Sequence, residues 1–364
     1  MLPQYAGPNV RGIVPGLLGP TRNEAGLPSW FPPGVAAAAQ VVLLVVDGLG
    51  WEQLQERTAL APTLAGLAGG PITTVAPSTT STSLTSIVSG LAPGEHGIEG
   101  YRVDMGGDVL NVLRWSTARG DARQRLVPRD VQPHRPFLGA SVPVVSKQEL
   151  QGSGFTEAHL AGARHRGWRV LSNLAVEVAG LMRAGEPFVY ADYDGIDKVA
   201  HEHGFGPYYD AELRTVDRLV GDLLDVLPPG AMLCVTADHG QVQVGDRVLP
   251  PVAEALALTR LQSGEGRFRW LHARAGAAAE LLAAAHAHDD VAWVVSREQV
   301  LDEGWFGPYV GSLVARRLGD VALVAREPVS FDDPADSGPF SLVCRHGSLT
   351  SAEMLVPFVA GSSR

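Results

Sequence analysis

The chain has 364 residues, 45% of them hydrophobic and 19% charged, which is enough apolar content for a sizeable core and excludes a disordered chain. Its formal charge of −10 argues against a nucleic-acid scaffold, since phosphate-backbone binders need clustered cation, and Lys147 and Lys198 are its only lysines. The amino terminus has no basic start followed by an unbroken apolar core, and the apolar run 34–46 is too short to span a membrane, so a cytoplasmic protein with no membrane partner is expected.

The first thirty residues hold five prolines and five glycines and are expected to wrap the surface as irregular structure. Residues 40–46 then read as a strand buried on both faces, as in a parallel sheet between helices, with a crossover helix predicted over 51–67. A short strand is predicted at 72–75, followed by a Ser/Thr-rich turn, an apolar segment at 84–88 and β character over 101–115. Helical spacing returns at 170–182 and again from 211 to 224, around a strand at 187–191. Another buried strand follows at 232–236. Cys234 and Cys344 fall in apolar runs and read as small buried hydrophobes. Between 250 and 336 the texture becomes that of a compact α+β insertion, with strands at 268–272, 291–295 and 321–325 and a helix at 275–287. A buried strand at 341–344 is expected to resume the core. The alternation predicts a single α/β catalytic domain over 1–364, an open, mostly parallel sheet with helices on both faces, interrupted by the 250–336 cap.

The informative feature is where acids and histidines fall. Asp47, Asp194 with Asp197, Asp238 with His239, and His346 each follow the end of an apolar strand. In an open α/β sheet, ligands gather outside the carboxyl ends of the strands, so these segments converge on one edge. One such Asp alone is a helix cap or turn residue; four segments offering only oxygen and imidazole donors suit Zn²⁺, with Mn²⁺ as the next choice. Asp197 and His201, four apart, share a face if they lie on a helix, whereas His203 would point elsewhere. The run Ser78-Thr79-Thr80-Ser81-Thr82-Ser83 offers a hydroxyl nucleophile before a helix whose amino terminus would bind phosphoryl oxygens. Spacing alone does not say which hydroxyl acts.

The order Val46-Asp47-Gly48, then Ser89-Gly90-Leu91 with Pro93, His96 and Gly97, then Asp197 with His201, Asp238-His239-Gly240 and His346-Gly347 resembles the nucleotide pyrophosphatase/type I phosphodiesterase branch of the alkaline phosphatase superfamily. The resemblance covers 40–250 and 340–360. It implies two Zn²⁺ ions (Mn²⁺ possible), with Asp47, Thr80, Asp238 and His239 around one and Asp197, His201 and His346 around the other. It further implies Thr80 as nucleophile, a phospho-threonine intermediate, a small-molecule phosphate-ester substrate and a structural His96. Ser83 stands where the family has an Asn that helps bind phosphate, and is expected to contact substrate there. A phosphomonoesterase or phosphonate hydrolase is the alternative on the same core. A positive group would favour the former, with Arg102, Arg123, Arg164 and Lys198 as candidates. A cofactor-independent phosphomutase is disfavoured by the short gap between Thr80 and Asp197, and a non-catalytic metal binder by the full set of ligand positions. Neither cysteine lies in the pattern of a sulfatase. Trp270, Trp293, Trp305, Phe306 and Tyr309 are expected to be the core of the insertion rather than a stacking platform.

Overall fold

The computed structural model describes residues 1–20, 26–336 and 342–363. Its strands of five or more residues, in chain order, are β1 (Gln40–Val46), β2 (Ala68–Thr73), β3 (Pro143–Lys147), β4 (Arg164–Trp168), β5 (Phe188–Tyr193) and β6 (Ala231–Thr236). After these come β7 (Thr259–Glu265), β8 (Phe268–Ala273), β9 (Ala292–Ser296), β10 (Val321–Ala325) and β11 (Leu355–Ser362). Seven of them form the central sheet in the order β2-β11-β6-β1-β5-β3-β4. β1 pairs in parallel with β5 and β6, and β3 in parallel with β4 and β5. β11 runs antiparallel between β6 and β2. The fold is therefore α/β with a mostly parallel sheet.

Every residue of β1 after Gln40, and all of β6, is buried, which requires cover on both faces of the sheet. The covering helices include α1 (Thr80–Ser89), α2 (Leu171–Arg183), α3 (Gly195–His203) and α4 (Pro207–Val226). α4 packs against α2 and α3, while α1 packs against the amino-terminal segment. That segment is more than a surface wrap. It forms short helical turns at Val10–Gly12 and Ile13–Leu18, and burial of Val10, Ile13, Val14 and Leu17 draws it into the core.

Three further expectations are corrected. The predicted helix over 51–67 breaks into Trp51–Gln55, a turn at Thr58–Leu60 and Pro62–Ala65; Pro62, which has no amide to bond to the Thr58 carbonyl, accounts for the second break. The strand expected at 72–75 starts and ends earlier, as β2. The strand expected at 341–344 begins outside the described residues; of 342–344 only Cys344 is in a strand, the two-residue strand Cys344–Arg345, paired with Val242–Gln243 beside the sheet. The sheet is completed instead by β11. Its Pro357 is tolerated because it faces Pro71, beyond Phe358, the last residue paired with β6.

The segment 250–336 forms its own four-stranded antiparallel sheet, β7-β8-β10-β9. Successive side chains alternate between two cores: Phe268 and Trp270 join Trp305 and Phe306 on one face, and Leu271 and Ala273 join Leu281 and Leu323 on the other. The Arg267 guanidinium fastens this unit to the main chain fold. It donates to both oxygens of Glu353, at 2.7 and 2.8 Å, and both side chains are fully buried. Arg267→Met strands the Glu353 carboxylate and is expected to lower unfolding free energy by about 3–5 kcal/mol in a urea titration. The double replacement R267M/E353M should recover most of that loss.

Candidate metal centre

The carboxyl ends of β1, β5 and β6 deliver their acids to one edge. Asp47 follows β1 directly, and its amide donates to the Tyr193 carbonyl at the end of β5. Asp197 enters on the first turn of α3, where its amide donates to the Asp47 carbonyl at 3.1 Å. Gly48 makes this closeness possible: a Cβ there would lie 2.9 Å from the Asp197 Cα, and φ is +75°. Asp238 and His239 follow β6, and His346 follows the short strand at Cys344–Arg345.

Two groups of donors result. Asp47, Asp238 and His239 bring one ligand atom each within 4.8 Å of one another, and so do Asp197, His239 and His346. His239 Nε2 lies 3.5 Å from oxygens of both Asp47 and Asp238. Asp197 Oδ1 lies 3.2 Å from His201 Nε2 and 3.9 Å from His346 Nε2. The rings of His239 and His346 stack at 3.6 Å, which makes the two groups contiguous.

Backbone carbonyls set the imidazole tautomers. His201 Nδ1 donates to the Cys344 carbonyl, His239 Nδ1 to Gly240 and His346 Nδ1 to Ser78. A carbonyl only accepts, so each neutral ring keeps its Nε2 lone pair for the centre of the cluster. Burial, together with the neighbouring imidazoles of His239 and His201, holds the His346 pKa well below its ordinary value, so that ring is neutral. The carboxylates carry the opposite strain. Burial and the charges of Asp238, Asp197 and Asp194 push the Asp47 carboxyl well above its usual range, and burial raises Asp238. Asp47 Oδ1 and Asp238 Oδ2 are buried and have no hydrogen-bond partner. Orphaned carboxylate oxygens facing imidazole lone pairs fit a divalent cation, whose charge would reverse the local field.

Of the six hydroxyls in 78–83, Thr80 is the one aimed at the cluster, its Oγ1 3.1 Å from His239 Nε2. Ser78 donates to the Ser348 carbonyl and Ser81 to the Gly100 carbonyl. Ser83 is not brought to the site: it is fully buried, with its Oγ 3.0 Å from the Thr74 hydroxyl. His96 is held between Ser86 and the Ile98 amide, and burial lowers its pKa to about 3. His203 turns away and stacks on Tyr208.

A profile of type I phosphodiesterases/nucleotide pyrophosphatases matches residues 41–161 and 146–348, most of the chain and every residue of the cluster. The chain belongs to this family. Family membership makes it a metal-dependent phosphoester hydrolase. No curated protein sequence matches the chain. Among solved structures, murine ectonucleotide pyrophosphatase/phosphodiesterase 5 aligns with a TM-score of 0.66 at 15% identity, covering 89% of this chain and 88% of that one. A form of the murine protein described as inactive, with one threonine replaced by alanine and AMP bound, aligns with the same TM-score at 14% identity and the same coverage. Phosphonoacetate hydrolase from Sinorhizobium meliloti 1021, in complex with phosphonoformate, aligns with a TM-score of 0.64 at 18% identity over 90% of this chain and 91% of that one. At these identities the structures share a fold with this phosphodiesterase-family chain.

A cavity of about 450 Å³ opens over Thr80, Asp197, His201 and His346. Its outer wall carries Tyr101, Arg114, Lys198, Glu265, Asp336 and Arg345; of these, only Lys198 was singled out from sequence. The other expected cations lie elsewhere: Arg102 pairs with Asp333, Arg123 with Asp121 and Arg164 with Glu186. Trp270, Trp305 and Phe306 are buried in the insertion, with Trp293 packed against them and Tyr309 exposed. Gln241 was missed as well; its amide donates to Asp197 Oδ1 at 2.6 Å and fixes that carboxylate. No sequence spacing marks such outer partners, because they arrive from separate loops. Among the described residues, no helix is long and apolar enough to cross a membrane.

Proposed function

We propose that the chain hydrolyses phosphate esters of the phosphodiester or nucleotide pyrophosphate type, passing the phosphoryl group through Thr80 at a two-zinc site. The observation that carries this reading is the approach of Thr80 Oγ1 to His239 Nε2 within a cluster of orphaned carboxylates. Asp47, Thr80, Asp238 and His239 would hold one ion, and Asp197, His201 and His346 the other. Bound there, the ions supply positive charge that favours the ionised hydroxyl and offsets charge on the transferring phosphoryl oxygens.

The chain's own groups do the rest. Thr80 is the first residue of α1, so the free amides of its first turn face an anion at the helix amino terminus. Thr80 Oγ attacks phosphorus as the bond to the leaving oxygen breaks; the hydroxyl proton ends on that oxygen, the alcohol or phosphate departs, and Thr80 carries the phosphoryl group with its remaining ester. Water then attacks phosphorus, the Oγ–P bond breaks, and Thr80 regains its proton. The murine relative described as inactive with a threonine replaced by alanine supports a threonine in this role.

Residues 250–336 act as a cap that selects the leaving group, since Glu265, Gly266 and Asp336 reach the cavity wall. We place the protein in the cytoplasm, where a buried thiol such as that of Cys344 would stay reduced. The test is release of p-nitrophenol from bis-p-nitrophenyl phosphate and from p-nitrophenyl phosphate, with and without a chelator. Faster, chelator-sensitive release from the diester is expected. A faster monoester reaction would move the assignment to a phosphomonoesterase, and no release from either would overturn hydrolysis.

A further inference from the structure

The outer wall of the cavity holds more positive charge than its own residues neutralise. Arg345 immediately precedes His346, and pairing of its backbone with Val242 fixes where its side chain starts. The side chain crosses Gly266, where a Cβ would sit 3.0 Å from Nη1, and enters the cavity above Thr80 and His346. Among the described residues, neither Arg345 nor Arg114 at the rim forms an ion pair, and the buried Arg345 Nε has no hydrogen-bond partner. Lys198, by contrast, pairs at 2.8 Å with Asp194, a carboxylate it shares with Lys147, and Asp336 is shared with Arg269 at 3.5 Å. Glu265 is held toward its neutral form by burial. Asp336 and Asp332 lie near Arg345 without pairing with it.

A half-buried guanidinium without a carboxylate is costly unless a ligand supplies the anion, and its fork matches a carboxylate or phosphate through two parallel hydrogen bonds. The wall offers little for a flat ring: Tyr101 is its only Phe, Tyr or Trp among the described residues, and the insertion's large aromatics lie in its own core or outside the cavity. We propose that Arg345, with Arg114 at the rim, binds a second anionic group, a carboxylate or a phosphate, on the leaving-group side of the substrate. The inference deepens the hydrolase assignment above and rests on it.

Calorimetric binding to the zinc-loaded protein tests it without requiring turnover, with propylphosphonate, 3-phosphonopropionate and 1,3-propylenediphosphonate as probes in excess zinc. At least one of the two tailed probes should bind about tenfold or more tightly than propylphosphonate. Whichever tail gains more identifies carboxylate or phosphate as the better match. R345Q should bring the ratio of tailed to untailed affinity close to one, and R345K should retain most of it. Equal binding of all three probes by the unaltered protein, or an unchanged ratio in a folded R345Q, would overturn the proposal. Hydrolysis of bis-p-nitrophenyl phosphate, measured on the same preparation, reports separately on the hydrolase reading.

Discussion

Thr80→Ala is expected to lower turnover of bis-p-nitrophenyl phosphate by about 10³-fold or more while leaving the bound zinc in place. The size of the loss follows from its position. Thr80 is the only one of six neighbouring hydroxyls directed at the imidazole cluster: Ser78 and Ser81 donate to carbonyls, Thr82 and Ser83 lie buried in α1, and Thr79, just before the helix, meets Glu265. Removing it leaves Asp47, Asp238 and His239 as donors on one side and Asp197, His201 and His346 on the other, so metal content should hold. Stability should change by less than about 1 kcal/mol, because Thr80 is a half-buried first-turn residue whose backbone amide stays available. Thr80→Ser keeps a hydroxyl at the same place and should retain part of the rate. Full activity in Thr80→Ala would sink the nucleophile assignment.

Stripping the metal should abolish activity and, separately, reshape stability against pH. Metal at a thousandfold above its Kd stabilises the folded state by about 4 kcal/mol. Without it, the buried acids face each other. Burial, with Asp194, pushes Asp192 up to about 8; burial alone dominates Glu265, at about 8, and Glu99, at about 7. A carboxyl whose pKa is raised by folding contributes stability below about pH 4 and loses it as pH rises through the folded value. Buried His96, His159 and His272, lowered by burial to about 3, 4 and 4, act in the opposite window and lose stability as pH falls below about 6.5. Between pH 6.5 and 8 the three carboxyls act together, against the amino terminus alone, whose pKa burial lowers. The melting temperature of the stripped protein should therefore fall across that interval, more steeply than that of the zinc-loaded protein, because bound cations compensate Asp47 and Asp238. Parallel curves for the two forms would contradict a metal at this cluster.

The parts of the fold that sequence reveals are those buried on both sides. β1, β5 and β6 are short unbroken apolar runs, and the acids that follow them identify the edge where the site forms. β4 escaped notice because its sequence Arg-His-Arg-Gly-Trp is that of a charged edge strand, half exposed along most of its length. β11 was hidden by Pro357, which is acceptable only because β6 has ended there, a fact of register rather than composition. Within the site, the i,i+4 pair Asp197 and His201 follows from helical spacing, and α3 presents both on one face. The carbonyls that fix the imidazole tautomers are invisible in sequence, since any residue supplies one. The same holds for Arg345: a lone arginine beside a histidine signals nothing until the cavity shows that no acid among the described residues pairs with it.

Acid-quenched mass spectrometry of the zinc-loaded enzyme mixed with bis-p-nitrophenyl phosphate tests the central claim most directly. The account predicts a phosphoester adduct on Thr80, formed and lost at rates compatible with turnover and absent from Thr80→Ala. Steady turnover with the adduct on another side chain, or turnover surviving in Thr80→Ala, would contradict it.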